Sequence, residues 1–256
     1  TVFFNRSEYI TGMALQPDGK IVASGGTILS GGSNQANFAV VRYLSDGTLD
    51  TTFSDDGRVN FFPVGSGVGR DMLLQPDGKI VIGGYAAIVG SAQDFALARL
   101  HSDGTLDTTF GTAGIMTTPV STANDWIFAL QLQPDGKILG IGDALITATS
   151  YDFAVARYLS DGTLDSSFGT NGIVTTDFSA LLDRGFCGTI DGDGLLVGGV
   201  STQGTEDFAL VRYELGIALG TADNTFPQLD IVPNPATSFI TLSNKSVTPI
   251  AYIITD

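Results

Sequence analysis

His101 is the only histidine and Cys187 the only cysteine of the 256 residues, which leaves acid–base and nucleophilic chemistry few candidates. A histidine-assisted nucleophile needs its base within hydrogen-bond reach and held by a third group. His101 follows a strand-like stretch, beside a Ser-Asp-Gly turn, where Leu44 and Leu159 stand in two matching segments. That makes it a surface side chain and not a catalytic base. Cys187 stands where Ala129 and Gly12 stand in other segments, with no histidine near it in sequence. It reads as a small buried hydrophobe, and alone it forms no internal disulfide. Carboxylates are the other candidates. Asp125 and Asp183 share one position in successive segments, and two carboxyl groups at hydrolase spacing would make a glycan hydrolase or lyase. The pairs Asp94/Arg99 and Asp152/Arg157 recur in register, as an ion-pair ladder between neighbouring segments would; an active site needs one unsymmetrical constellation.

Aspartates crowd the turns at Asp46/Asp50, Asp103/Asp107, Asp161/Asp165 and Asp191/Asp193. Calcium takes about six to eight oxygens, and these loops lack the spacing and final glutamate of the best-known calcium loop. Aspartate in a tight turn bonds its own backbone, so turn chemistry is the expected role. No cofactor is expected, with calcium as the alternative.

Charge narrows the partners. Twelve cationic residues against 27 acidic ones give a net charge of −15, which repels nucleic acid and anionic membrane surfaces. Lys20, Lys79, Lys137, Arg42, Arg99, Arg157 and Arg212 sit at recurring positions and read as structural. Arg6, Arg58, Arg70, Arg184 and Lys245 remain, too few and too scattered for a basic patch. No apolar run approaches the length of about 18 residues that a membrane-spanning helix needs, so no membrane insertion is expected. The chain starts at Thr1 without methionine or signal peptide and reads as a mature or truncated product.

The elements that must position these residues come from a repeat of about 58 residues. Leu-Gln-Pro-Asp-Gly-Lys occurs at 15–20, 74–79 and 132–137, with a weakened copy at 190–195. A second run, Phe-Ala-x-x-Arg-Tyr or a near variant, starts at Phe38, Phe95, Phe153 and Phe208. A third, Ser-Asp-Gly-Thr-Leu-Asp, occurs at 45–50, 102–107 and 160–165, followed by Phe53, Phe110 and Phe168. Each unit reads as four strands. Strand a ends at Leu-Gln, and Pro-Asp-Gly closes a hairpin into strand b (20–23 and its equivalents), which glycines such as Gly83-Gly84 end. Strand c is the Phe-Ala stretch, and strand d covers 59–62, 115–118 and 173–176. The expected fold is all-β: a β-propeller of four-stranded antiparallel blades over 1–213, with helix nearly absent. Phe38, Phe95, Phe153 and Phe208 are expected as buried equivalents. Thr1–Phe4 aligns with strand d and would complete the fourth blade of a four-bladed ring; a larger ring fits equally.

These three motifs together resemble the delta-60 repeat of large exported bacterial proteins, over about residues 1–213. The resemblance implies a propeller-like architecture and no general catalytic role. The fourth unit departs from it, with Gly192 and Leu195 where proline and lysine stand elsewhere and no Asp-Gly-Thr-Leu-Asp segment, as a terminal repeat would.

After Tyr213 the register stops. Residues 214–228 are small and polar, a linker. The segment 229–256 carries Pro233-Asn234-Pro235-Ala236-Thr237, an alternating stretch at 239–242 and an expected strand at 250–254. It resembles the first strands of a type IX secretion C-terminal sorting domain, a small β-sandwich. That resemblance implies the type IX secretion machinery as partner and a secreted or outer-cell-surface protein of a Gram-negative bacterium.

Strand parity suggests where a ligand would go. With strand a innermost, the a–b and c–d turns share one face and repeat closely. The b–c and d–a loops share the other face and diverge. Where strand a begins, Tyr9, Val68, Trp126 and Arg184 occupy one position. Diverging loops are where specificity can reside. The expected ligand site is therefore Tyr9, Trp126, Arg184, Asp125 and Asp183, holding carbohydrate or protein in a non-enzymatic scaffold. A carboxylate-based hydrolase or lyase and a structural stalk or adhesin segment are the alternatives.

Overall fold

The computed structural model describes residues 7–28, 36–61, 65–87, 92–147, 150–178, 181–202, 205–216 and 250–254. They form four four-stranded antiparallel sheets in which each strand pairs with the next in sequence. The first holds β1 (Ser7–Leu15), β2 (Ile21–Ile28), β3 (Ala36–Tyr43) and β4 (Arg58–Phe61). The second holds β5 (Ser66–Leu74), β6 (Ile80–Ala87), β7 (Asp94–Leu100) and β8 (Ile115–Thr118). The third holds β9 (Asp125–Leu132), β10 (Ile138–Leu145), β11 (Tyr151–Tyr158) and β12 (Ile173–Thr176). The fourth holds β13 (Asp183–Asp191), β14 (Gly194–Thr202), β15 (Glu206–Glu214) and β16 (Ile250–Ile254). No helix occurs among the described residues. This is the all-β repeat of blades that the motifs predict.

The Pro-Asp-Gly turns do what their chemistry requires. Gly19, Gly78 and Gly136 adopt φ of +84°, +83° and +85°. Each turn closes with an amide-to-carbonyl bond such as Gly19 N to Gln16 O at 2.9 Å. The first strands of successive blades touch one another, β1 with β5, β5 with β9 and β9 with β13, which puts strand a innermost.

The core is divided by blade junction. One apolar cluster joins Val22, Phe38 and Phe53 to Ile80 and Ala96; a second joins Val81, Phe95 and Phe110 to Ile127 and Ala154. A third joins Ile141, Phe153 and Phe168 to Val197 and Ala209. Ile80 and Val81, adjacent in β6, serve opposite junctions, because successive side chains leave opposite faces of a strand. An inner blade is covered on both faces and needs apolar residues at both parities.

The sequence predicts that the glycines of strand b end it; instead β2 and β6 run through them. Every strand a carries a bulge at one register position: Thr11, Arg70, Phe128 and Phe186 are each left without a partner residue. The bulge pushes a carbonyl against strand b. A Cβ on Gly84 would lie 1.9 Å from the Val68 oxygen, and on Gly142 1.8 Å from the Trp126 oxygen. Those glycines are strand residues that make room.

Three further expectations are corrected. Phe38, Phe95 and Phe153 are fully buried, whereas Phe208 is 79% exposed, since no described blade packs on that side of the fourth. Cys187 is exposed. It occupies the position of Asp71, whose carboxylate accepts the Leu130 amide of the following blade at 2.8 Å, so it faces the same uncovered side. The ladder of Asp94/Arg99 and Asp152/Arg157 is not formed. Arg42, Arg99 and Arg157 pair within their own blade with Asp50, Asp107 and Asp165, at 2.8, 2.8 and 2.9 Å. The aspartate of the turn lies on the same side of the sheet as the arginine; that of the strand start does not reach it. The strand at Ile250–Ile254 is present and pairs with β15, taking the outer place in the fourth sheet. Thr1–Phe4 and Pro233, Asn234, Pro235, Ala236 and Thr237 lie outside the described residues.

Candidate functional site

The two faces of the array carry opposite kinds of structure. On the face of the repeating turns the recurring arginines and aspartates are paired with one another within the fold. In the first three blades the strand-c arginine stacks on the phenylalanine of its own c–d segment, 4.5 Å from Phe53, 4.5 Å from Phe110 and 4.7 Å from Phe168. It also reaches into the next blade: Arg42 Nη1 donates to Ser102 O at 2.6 Å, Arg99 Nη1 to Ser160 O at 2.5 Å and Arg157 Nη1 to Leu215 O at 2.6 Å. Thr52 donates to Asp50, and with Arg42 it holds that carboxyl at about 2 against the opposing effect of burial. Burial acts against ionisation of Asp107 too, yet hydrogen bonds from Thr109 and the Arg99 charge keep it well below the usual range. The turn aspartates serve their own backbone: Asp46 Oδ1 accepts from Thr48 N at 2.8 Å and Thr48 Oγ1 at 2.6 Å, and Asp103 and Asp161 repeat the pattern. Among the described residues no three His, Cys, Asp or Glu side chains gather as a metal site. His101 is an exposed flank of this network, 3.7 Å from Asp107.

The face of the diverging loops holds an aromatic basin. Trp126 stacks on Tyr151 with ring centres 5.7 Å apart and planes 29° apart, and it contacts Tyr85 at 6.0 Å and Phe128 at 6.3 Å. Phe128 meets Phe186 edge-on at 5.6 Å. Trp126 Nε1 donates to Gln93 Oε1 at 2.5 Å, so its one polar atom is engaged. Arg70, Phe128 and Phe186 come to this basin from the bulge position; a bulge re-aims one side chain out of the strand alternation. Tyr9 stands beside it, its hydroxyl over Gly26. Burial, then the neighbouring Tyr85, raises the Tyr9 phenol, and the Arg70 charge opposes them.

Two guanidinium groups lie in the basin and do different work. Arg184 is within 5.3 to 5.7 Å of four rings, those of Trp126, Phe128, Tyr151 and Phe186. Its Nε donates to Asp143 Oδ2 at 2.5 Å. Burial pushes the Asp143 carboxyl up to about 6 in spite of that bond and the Arg184 charge. Arg184 is therefore a strut between the third and fourth blades. Arg70 sits 5.7 Å from the Tyr85 and Phe128 ring centres, and its buried Nε has no hydrogen-bond partner.

The five residues expected as a ligand site divide along the same line. Tyr9, Trp126 and Arg184 are brought to the basin. Asp125 and Asp183 are wholly buried. Asp125 accepts from the amides of Val120 and Ser121 at 2.8 Å each, and Asp183 from that of Phe178 at 2.6 Å, so both shape the d–a loops. Asp143, Arg70, Tyr85, Tyr151, Phe128 and Phe186 were not singled out by their spacing. One sign of them is in the sequence: the bulge position changes from Thr11 to Arg70, Phe128 and Phe186 while its neighbours keep register.

Four-stranded blades stacked through strand a, with repeated turns on one face, define a propeller-like repeat protein. Residues 16–53, 75–110 and 133–168 each match a family described as a domain of unknown function (DUF5122) beta-propeller. Each match runs from the a–b turn through strands b and c to the phenylalanine of the c–d segment. No curated protein matches the chain.

Proposed function

We propose that the protein is a non-enzymatic binding scaffold, secreted or held at the cell surface, whose diverging face takes carbohydrate or protein. The observation that carries this reading is the basin of Trp126, Tyr151, Phe128 and Phe186 around Arg184, with Arg70 left without a hydrogen-bond partner at its buried Nε. Aromatic rings supply apolar contact at low entropic cost, and a guanidinium beside them supplies directed hydrogen bonds to a sugar or a peptide. The opposite face gives no such opening, because its charges are spent on the fold. A hydrolase or lyase gains little support, since Asp125 and Asp183 are committed to loop amides. The net charge of −15 works against nucleic acid as the ligand.

Glycan arrays and pull-downs comparing the wild type with Trp126→Ala test the site, at matched melting temperature. Binding by the wild type that the variant loses supports it; equal binding by both, or by neither, favours a structural stalk. Export through the type IX secretion machinery belongs to the same proposal and rests on the motif at 233–237. Deleting those five residues should retain the protein inside the cell envelope, and unchanged release would remove that part of it.

A further inference from the structure

Every junction between blades is built from the same two halves. One blade contributes its strand-c phenylalanine: Phe38, Phe95 and Phe153 are each 0% exposed. The next blade contributes a groove floored by strand-b glycine and strand-c alanine. Phe153 lies so close over Gly199 that a Cβ there would come within 2.8 Å of its ring. Ala96, Ala154 and Ala209 are buried in these grooves at 0, 0 and 3% exposure. Met72 and Leu130 of strand a close them, at 6 and 4%.

The outer flanks of the array carry one half each. On the fourth blade Phe208 stands 79% exposed. On the first blade Met13, at the position of Met72, is 69% exposed, and Ile10, at the position of Ile127, is 56% exposed. Ala39, at the position of Ala96, is only half-buried. Between Tyr9, Ala23, Gly25, Ala39 and Val41 lies a cavity of about 240 Å³. Gly25 holds the position of Gly199, so the cavity occupies the place that Phe153 fills at the junction of the third and fourth blades. Among the described blades, the fourth presents a knob and the first the matching hole.

We propose that the Phe208 flank of one molecule docks into the Gly25 cavity of a second copy, head to tail. The surfaces that would meet are those that already pack three times within the chain, which is why a second copy is the occupant inferred. Such a contact is heterologous: each molecule keeps one free knob and one free hole, so copies add in sequence until a ring closes or a filament grows.

Sedimentation velocity on the full 256-residue chain tests it. The wild type should grow in mass with concentration. Phe208→Asp removes the knob and Ala39→Arg fills the hole, and each alone should stay monomeric with an unchanged melting temperature, since both side chains are accessible. Phe208→Ser serves as a second knob variant of smaller change. Mixed in equal amounts, Phe208→Asp and Ala39→Arg should form a one-to-one dimer and nothing larger, because together they keep one knob and one hole. A wild type still monomeric at about 500 µM, a dissociation constant too weak for a repeated packing interface, overturns the proposal. So does a mixture of folded variants that stays monomeric, or a Phe208→Asp protein that assembles like the wild type. Closure of the hole by the chain's own Phe208 or by residues 217–249 would give the first of these results.

Discussion

Arg184 Nε and Asp143 Oδ2 lie 2.5 Å apart across the junction of the third and fourth blades. The carboxylate is fully buried, and the guanidinium, 29% exposed, keeps an edge in water. Asp143 Oδ1 has no hydrogen-bond partner, so this arginine is the main compensation for a charge held out of solvent.

Arg184→Met keeps much of the contact with the rings and removes that compensation. It should cost about 2–3 kcal/mol at pH 8, where Asp143 would be ionised. With the carboxyl pushed up to about 6, the cost should shrink at pH 5, where the proton neutralises it. Urea melts at the two pH values measure this. Equal losses at both would mean that ring packing, and not charge, is what Arg184 supplies.

Asp152 sets a pH dependence of its own. Burial first, then the charges of Asp177 and Asp183, raises its carboxyl from 3.8 to about 6. The folded protein thus binds this proton more tightly than the unfolded chain. Its ionisation costs nothing below pH 4 and its full amount above pH 6, so this residue lowers stability as pH rises through that window. Asp152→Asn should therefore stabilise at pH 7, on the order of 2 kcal/mol, and leave stability at pH 4 nearly unchanged. Thermal melts at the two pH values decide it, and a loss at pH 7 would contradict the burial argument.

Phe95 and Phe208 are the same residue of the repeat in different surroundings, 0% and 79% exposed. Phe95→Ala should cost about 3–5 kcal/mol by emptying a junction, and Phe208→Ala less than about 0.5 kcal/mol in the monomer. Denaturant midpoints at low protein concentration separate them. A Phe208→Ala loss near that of Phe95→Ala would place another part of the chain over Phe208.

Gly142→Ala should be among the costliest single changes in the array, about 3 kcal/mol or more. The added carbon would lie 1.8 Å from the Trp126 carbonyl oxygen, and both are backbone-fixed. Relief would require flattening the bulge at Phe128, so near-ultraviolet circular dichroism of Trp126 should change along with the urea midpoint. A variant of wild-type stability would show that the bulge is not rigid.

By itself the sequence determined the number of blades described, their four strands, the turns between them and the burial of Phe95 and Phe153. Those features are local or periodic: Pro-Asp-Gly makes a hairpin wherever it stands, and a residue repeated in register meets the same neighbours each time. The arginine network shows where periodicity falls short. Recurrence marked Arg99 as structural, but its partner, Asp107 and not Asp94, depends on which side of the sheet each side chain leaves. The site belonged to the tertiary structure more fully. Arg70, Phe128 and Phe186 are 58 residues apart in sequence, and strand alternation alone does not bring them to the basin. A one-residue bulge in each innermost strand does, and it is legible only once strands a and b are paired. The exposure of Phe208 was likewise decided by tertiary structure, since a repeat sequence assigns every copy the same residue and only the stacking of blades says which copy has a neighbour.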